Sequence, residues 1–395
     1  MSHRFFLAVT VLCPARLVSQ RLIRPIPDTS RMRLLWEVVP GTAAVADSLG
    51  ELSSVAVDGF GNVYVSDFSA YKIWVFDKTG RSLPGIGRKG EGPGEFTAPT
   101  GLGIGPDGRL YVRDIDRVSR FAIDPATKRL TRYENSFRNP AMSDWRSMRP
   151  SRFDSAGRMY YPSFNRVDRA RSTGQFYRYN IRGELLDSVI VPAFPDAPQA
   201  STAFVRTGPG GGRMLSGLNY PPFFPLPVWD VTPRGTLITG TGKAYVLEER
   251  DAQGRLRQTY QREMAPDRIP PREREESLSA LQARLDSVPV PLDRVEGMPA
   301  AVRRRQLPRV FPAYMAAYGG EDGLLWVRRW PTGDTRRTIF DVFSPDGRYT
   351  ATILLPRAIA VAPPPVLSLD RIVAIGIDPE TGANLILSFG RTARN

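Results

Sequence analysis

The sequence predicts an all-β chain, a six-bladed β-propeller with one short helical insertion between blades 4 and 5. Three observations carry this expectation. GNVYVSD at 61–67 returns as GRLYVRD at 108–114, a period of 47 residues. Between the copies lie KIWVFDKTG (72–80) and GIGRKGEGPGEF (85–96), so each unit holds several short strands separated by tight turns. A period of about 40–50 residues with that content belongs to propeller blades rather than helical solenoids. Finally, the 395 residues contain a single stretch with helical spacing.

The two copies agree in physical detail. Val63, Tyr64 and Val65 match Leu110, Tyr111 and Val112, β-branched and aromatic residues suited to a strand packed on both faces. DGFG (58–61) and PDG (106–108) precede them and supply the turn chemistry. The first blade is read from Leu52 to Ile86 and the second from Pro99 to Tyr133, with Phe76 and Phe121 as third-strand aromatics. This run resembles the NHL repeats of six-bladed propellers of the TolB-like superfamily, in which a strand "lyVaD", a strand "i.vfd..G" and a linker "G..G.gpGeF..P" recur.

The remaining blades come in order. RLLWEVV (33–39) is a lone strand expected to pair with the last blade and so remove an exposed sheet edge. A third blade spans Met148 to Ile190, with Tyr160 and Tyr179 in the aromatic places. The fourth is read as beginning at Ser201, with GPGGG (208–212) and PPFFPLP (221–227) too proline- and glycine-rich for an ordinary ladder. Three strands succeed them at 228–240, 243–250 and 255–263. Within an insertion at 264–309, residues 272–288 form the amphipathic helix, with Leu278, Leu281, Ala283 and Leu285 mainly on one side. The fifth blade resumes at Pro312 and matches through Trp326 and Phe343. The sixth starts near Arg371 with only two strands before the terminus, leaving outer strands for the 33–39 segment to supply. The propeller is thus one domain over 31–395, after a lead at 1–30.

That lead reads as an export signal. Arg4 precedes the apolar run Phe5–Cys13, and Cys13-Pro14-Ala15 or Leu17-Val18-Ser19 could serve as the cleavage site. Leu12 before Cys13 argues against lipidation. The expected location is periplasmic or secreted, with no transmembrane segment.

Composition narrows the chemistry. Net charge is +14, but only five of the 54 basic residues are lysines and the arginines run the whole length. That spread disfavours a nucleic-acid stripe, since basic footprints cluster. Cys13 is the only cysteine and His3 the only histidine, so an intramolecular disulfide, imidazole zinc sites and Ser-His or Cys-His nucleophiles are unavailable to the chain. Gly85 to Gly90 formally matches G-x-G-x-x-G, yet Glu91-Gly92-Pro93-Gly94 comes next, where a phosphate loop needs a helix.

Strand order also assigns ends. Turns joining strands 1–2 and 3–4 are short, whereas the 2–3 and inter-blade connections are long: Arg88–Ala98, Ser163–Gly174, Pro192–Ala203, Met264–Arg309 and Arg329–Thr335. Irregular loops on a rigid scaffold are the usual carriers of binding. Arg113, Asp116, Tyr161, Arg328, Arg329 and Trp330 lie near that end and are the candidate ligand-binding residues, by guanidinium bonding and ring stacking; ordinary rim positions are the competing account. Asp67 and Asp114 close equivalent strands, and the NHL resemblance implies that each ties down a loop by accepting backbone donors.

The expected function is a non-enzymatic, monomeric propeller that binds a protein or small molecule through the long-loop face, with no catalytic residues assigned. The resemblance extends to two enzyme families. The amidating lyases hold zinc through several histidines, whereas this chain has only His3; the gluconolactonase–regucalcin family uses a divalent metal on Glu, Asn and Asp ligands, and no matching set is located here. No cofactor is predicted, though a divalent metal in the central channel, with hydrolase or lactonase activity, stays open. RNA binding, as in some NHL regulators, is the third reading.

Overall fold

A computed structural model describes residues 29–41, 49–138, 152–164, 174–191, 203–206, 212–215, 222–286, 307–330 and 337–391. The leader-like segment at 1–28 and much of the loops 163–174, 192–203 and 329–335 lie outside them, as do Cys13 and His3. Among the described residues no helix is long and apolar enough to cross a membrane.

Six antiparallel groups of four strands account for the propeller. Blade 1 is β2 (Leu52–Val57), β3 (Val63–Asp67), β4 (Lys72–Phe76) and β5 (Ser82–Ile86). Blade 2 is β6 (Gly101–Ile104), β7 (Leu110–Arg113), β8 (Arg117–Asp124) and β9 (Arg129–Arg138). Blade 3 is β10 (Arg152–Phe153), β11 (Met159–Phe164), β12 (Gly174–Tyr179) and β13 (Leu185–Ile190). A hairpin of β14 (Ala203–Arg206) and β15 (Gly212–Leu215) forms a sheet of its own. Blade 4 is β16 (Val228–Val231), β17 (Leu237–Gly240), β18 (Val246–Arg250) and β19 (Leu256–Gln261).

The structure corrects the sequence at this blade in two respects. The fourth blade begins at Val228, not Ser201, and residues 228–240 are two strands reversed at Thr232–Thr236. The reversal escapes the pattern because its first residue is Thr rather than Asp and Ile238 stands in the aromatic place.

The helix α1 (Pro271–Asp286) comes next, fixed at its base where Ile269 and Phe311 amides bond back to the carbonyls of Arg309 and Asp267. Leu281 is buried but Ala283 is exposed, so the packed side is narrower than its sequence spacing predicts. Blade 5 is β20 (Ala316–Gly319), β21 (Leu325–Arg328), β22 (Thr338–Phe343) and β23 (Tyr349–Leu355).

Blade 6 is β24 (Val366–Leu367), β25 (Arg371–Ile377), β26 (Asn384–Arg391) and, outermost, the N-terminal β1 (Thr29–Val38). One strand rather than several is therefore supplied from the N-terminus. The missing inner strand is the two-residue β24, hidden from the sequence by the proline run before it. β1 also pairs in parallel with β23 through its first three residues, so it staples blade 5 to blade 6. On its other side Trp36 reaches blade 1: its Nε1 donates to the Lys78 carbonyl at 2.9 Å. Gly80 lets the indole approach, since a Cβ there would stand 2.7 Å from the Trp36 ring and its φ of +87° favours glycine.

One latch explains why the aromatic recurs. In the strand 1–2 turn an Asp accepts local backbone amides and the hydroxyl or indole of the second-strand aromatic. Asp58 pairs with Tyr64 at 2.8 Å, Asp107 with Tyr111 at 2.9 Å, Asp154 with Tyr160 at 2.9 Å and Asp322 with Trp326 at 3.4 Å. A buried phenol needs such a partner. Burial, reinforced by the adjacent carboxylate, raises the pKa of Tyr64 and Tyr111, and burial pushes Tyr160 up to about 12.

Candidate functional site

The long-loop end is built from the connections that leave the second strand of each blade. Asp67 accepts the amides of Gly50 (2.8 Å) and Ala70 (3.0 Å) and the Trp74 indole (3.1 Å). Asp114 accepts the amides of Thr97 (2.8 Å), Ala98 (2.5 Å) and Ile115 (2.8 Å). Both are fully buried. A carboxylate surrounded by backbone donors anchors the connections that cross it.

The candidate ligand residues are not brought together. Arg113 and Tyr161 are buried, with the guanidinium 5.9 Å from the ring centroid. Tyr161 packs among Tyr111, Val118, Met159 and Tyr179. Asp116 is exposed beside Arg117. Arg328 is buried and donates to the carbonyls of Ile359 (2.7 Å) and Ala360 (2.8 Å), fixing the connection into blade 6; burial lowers its pKa. Arg113, Tyr161 and Arg328 thus face protein rather than an open binding surface.

Arg329 and Trp330 stand elsewhere, on the wall of a large cleft between blades 4 and 5. The cleft encloses about 1970 Å³. Its blade-4 wall is β19 and the chain running on to Asp267, its blade-5 wall the start of β23, and Val310 to Ala313 close one end. Trp330 stacks on Phe311 at 5.5 Å and meets Phe223 at 5.9 Å. Arg329 holds a loose ion pair with Asp267, 3.7 Å away.

A buried ionic knot lies under the cleft. Asp341, on β22, is wholly inaccessible; it accepts the Tyr245 hydroxyl (2.7 Å) and the Thr352 hydroxyl (2.7 Å) and forms an ion pair with the Arg262 guanidinium (2.6 Å). Arg262 in turn lies 4.3 Å from the Tyr349 ring centroid. Burial, then the Asp341 charge, holds the Tyr245 phenol protonated well above its ordinary range. Burial works against the Arg262 charge, but Asp341 outweighs it and the pKa rises. The Tyr245 phenol and the Arg262 guanidinium therefore keep their protons through the physiological range, and with Tyr349 they form the floor of the cleft.

Sequence reasoning missed Tyr245, Arg262, Asp341 and Phe311. Register gives the signal that was available: Asp341 occupies the third-strand place held by Trp74 in blade 1 and Ser119 in blade 2.

The central channel is narrow. A cavity of about 70 Å³ touches the inner strands or their turns in all six blades, and Arg152 and Glu321 are its charged members. Arg152 spans blades 3, 4 and 5, bonding Asp230 at 3.1 Å and Glu321 at 3.0 Å. Among the described residues no group of three or more His, Cys, Asp or Glu gathers. Asp230 and Glu321, the two carboxylates beside the channel, are both paired with Arg152. The G-x-G-x-x-G stretch folds back on Glu95, which accepts from Gly92 and Arg88.

A family described as a 6-bladed β-propeller matches residues 47–131, which supports the blade number and leaves the NHL class a resemblance. A comparison with curated proteins finds no match. Among solved structures, virginiamycin B lyase from Staphylococcus aureus is 12% identical with a TM-score of 0.42, covering 91% of this chain and 100% of that one. The calcium-binding protein regucalcin from Agrobacterium tumefaciens is 13% identical, TM-score 0.39, over 92% and 97%. PQQ-bound aldose sugar dehydrogenase from Streptomyces coelicolor is 14% identical, TM-score 0.40, over 92% and 99%. At this level of likeness no activity carries over to this chain.

Proposed function

We propose that the chain is a non-enzymatic, extracytoplasmic binding propeller whose ligand or protein partner enters the cleft between blades 4 and 5 from the long-loop end. The observation that supports this is the cleft itself. About 1970 Å³ bounded by Phe311, Trp330 and Arg329 exceeds an ordinary small-molecule site and offers stacking surface beside a cation. The rigid Asp341 knot beneath it keeps that surface in place without a ligand, which lowers the ordering cost of binding.

The test is a thermal-shift and tryptophan-fluorescence screen of the purified protein against oligosaccharides, peptides and divalent metals, run beside metal analysis and a lactone-hydrolysis assay. A ligand whose affinity falls at least tenfold in Trp330→Ala and in Arg329→Ala supports the reading. Metal-dependent lactone turnover would overturn it in favour of a hydrolase. Export is checked separately, by sequencing the mature N-terminus after secretion.

A further inference from the structure

Resting on that binding function, we infer that the cleft takes an extended segment of a partner protein, added as a fifth strand beside the long-loop end of β19. Hydrogen-bond register points to this edge. The Arg262 amide donates to the Tyr245 carbonyl at 3.1 Å, so that pair is of the bonded kind. Antiparallel pairs alternate, and the register Val246↔Gln261, Leu247↔Tyr260, Glu248↔Thr259 makes Tyr260 bonded and leaves Gln261 and Thr259 facing outward. Val246 agrees, since its amide turns to the Ala244 carbonyl at 2.8 Å and not to Gln261.

The two outward positions differ. At Thr259 the edge is closed: its carbonyl accepts the Gln258 side-chain amide at 2.8 Å, and Gly347 of the blade-5 turn comes so near that a Cβ there would sit 2.9 Å from that oxygen. This is ordinary protection of an edge strand. At Gln261 no such cover exists among the described residues, and the open position lies on the cleft wall.

The surroundings specify the occupant. Val246, Leu256 and Val310 are 40%, 50% and 41% exposed, three large apolar side chains gathered in one cleft. Apolar surface gathered in this way marks an interaction site. Arg257, Arg262, Arg329 and Arg348 on the walls are already matched by Asp251, Asp341, Asp267 and Asp346, so the occupant is selected by the open edge and the apolar side chains rather than by charge. An extended peptide with apolar side chains meets both features: backbone groups for the open edge and apolar contacts for the walls.

A random dodecapeptide phage library panned on the full chain tests this. The expected outcome is enrichment of sequences with apolar residues at alternate positions, with affinity reduced at least tenfold in Gln261→Pro. That substitution removes an outward N–H while sparing the ladder, so the melting temperature should stay within a few degrees. Val310→Arg, which leaves the backbone edge intact, should weaken the same peptides. Enriched peptides unaffected by Gln261→Pro but lost in Trp330→Ala would overturn strand addition and leave the cleft reading standing. Peptides unaffected by either variant would overturn both, and a library that yields no enrichment would overturn the peptide occupant.

Discussion

The seam between blades 1 and 2 and the seam between blades 4 and 5 are built on the same repeat, yet one is filled and the other holds a cleft. In the first, Tyr64, Ile73, Val75, Leu110, Val112 and Phe121 pack against Phe96, which arrives from the glycine-rich linker and is fully buried. In the second, Leu247, Tyr260, Ala317, Val327 and Phe343 form an apolar cluster, and beside it lie Asp341, Arg262 and Tyr349. The connection between the two blades detours through α1 and then returns Phe311 and Tyr314, both buried, five and two residues before β20, much as Phe96 comes five residues before β6. The two seams thus differ at one strand position, Asp341 where blade 2 has Ser119, and in the length of the connection between their blades.

The largest expected effects probe what fills each seam. Phe96→Ala should destabilise by about 3–5 kcal/mol, the usual cost of truncating a fully buried aromatic. Asp341→Ala should cost about as much, because it strands the Arg262 charge and the Tyr245 hydroxyl in the interior. Urea denaturation of both variants measures this; a loss below about 1 kcal/mol at Asp341 would mean that the knot is wet and the floor not rigid.

A double variant sharpens the contrast. If the knot is ionic, Asp341→Leu combined with Arg262→Leu should be less destabilising than Asp341→Leu alone, with a coupling of about 0.5–3 kcal/mol. No comparable rescue is expected for Phe96→Ala by a second truncation at Phe121, since apolar packing losses in one seam accumulate or leave a larger void. Equilibrium unfolding of the two cycles separates the cases.

Much of the first seam was legible in the sequence and little of the second. Blades 1, 2, 3 and 5 announce themselves because the latch between turn Asp and second-strand aromatic is local, four to six residues apart, as in Asp58 with Tyr64 and Asp322 with Trp326. Blade 4 lacks both members, so its first turn was read through. The inner strand of blade 6 is two residues long and comes after three prolines, which offers no periodicity to count. The cleft assembles Tyr245, Arg262, Phe311, Trp330 and Asp341 from five separate segments, and only a chain already folded brings such positions together. Arg329 and Trp330 could be placed near the right end by strand order, whereas Arg113, Tyr161 and Arg328 could not be told from them because burial depends on the neighbouring connection.

Strand-end anchors extend the comparison to smaller energies. Asp114 and Arg329 occupy the same place at the end of strand 2 in blades 2 and 5. Asp114→Asn keeps the shape but removes the charge that three backbone amides point toward, and should cost about 1–3 kcal/mol with a local rise in amide exchange at Thr97 and Ala98.

Arg329→Ala should cost least, at most about 1 kcal/mol. Its 3.7 Å contact is to Asp267, a side chain about half exposed, and such pairs are weakened by solvent and by the entropy of holding both partners. The small effect should shrink further in 1 M salt, whereas the Asp114→Asn loss should persist because its partners are backbone amides in a buried site. Melting temperatures of the two variants at low and high salt decide the matter. Equal, salt-independent losses would mean that Arg329 anchors its loop as Asp114 does, and that the wall of the cleft is part of the scaffold rather than a surface left free to bind.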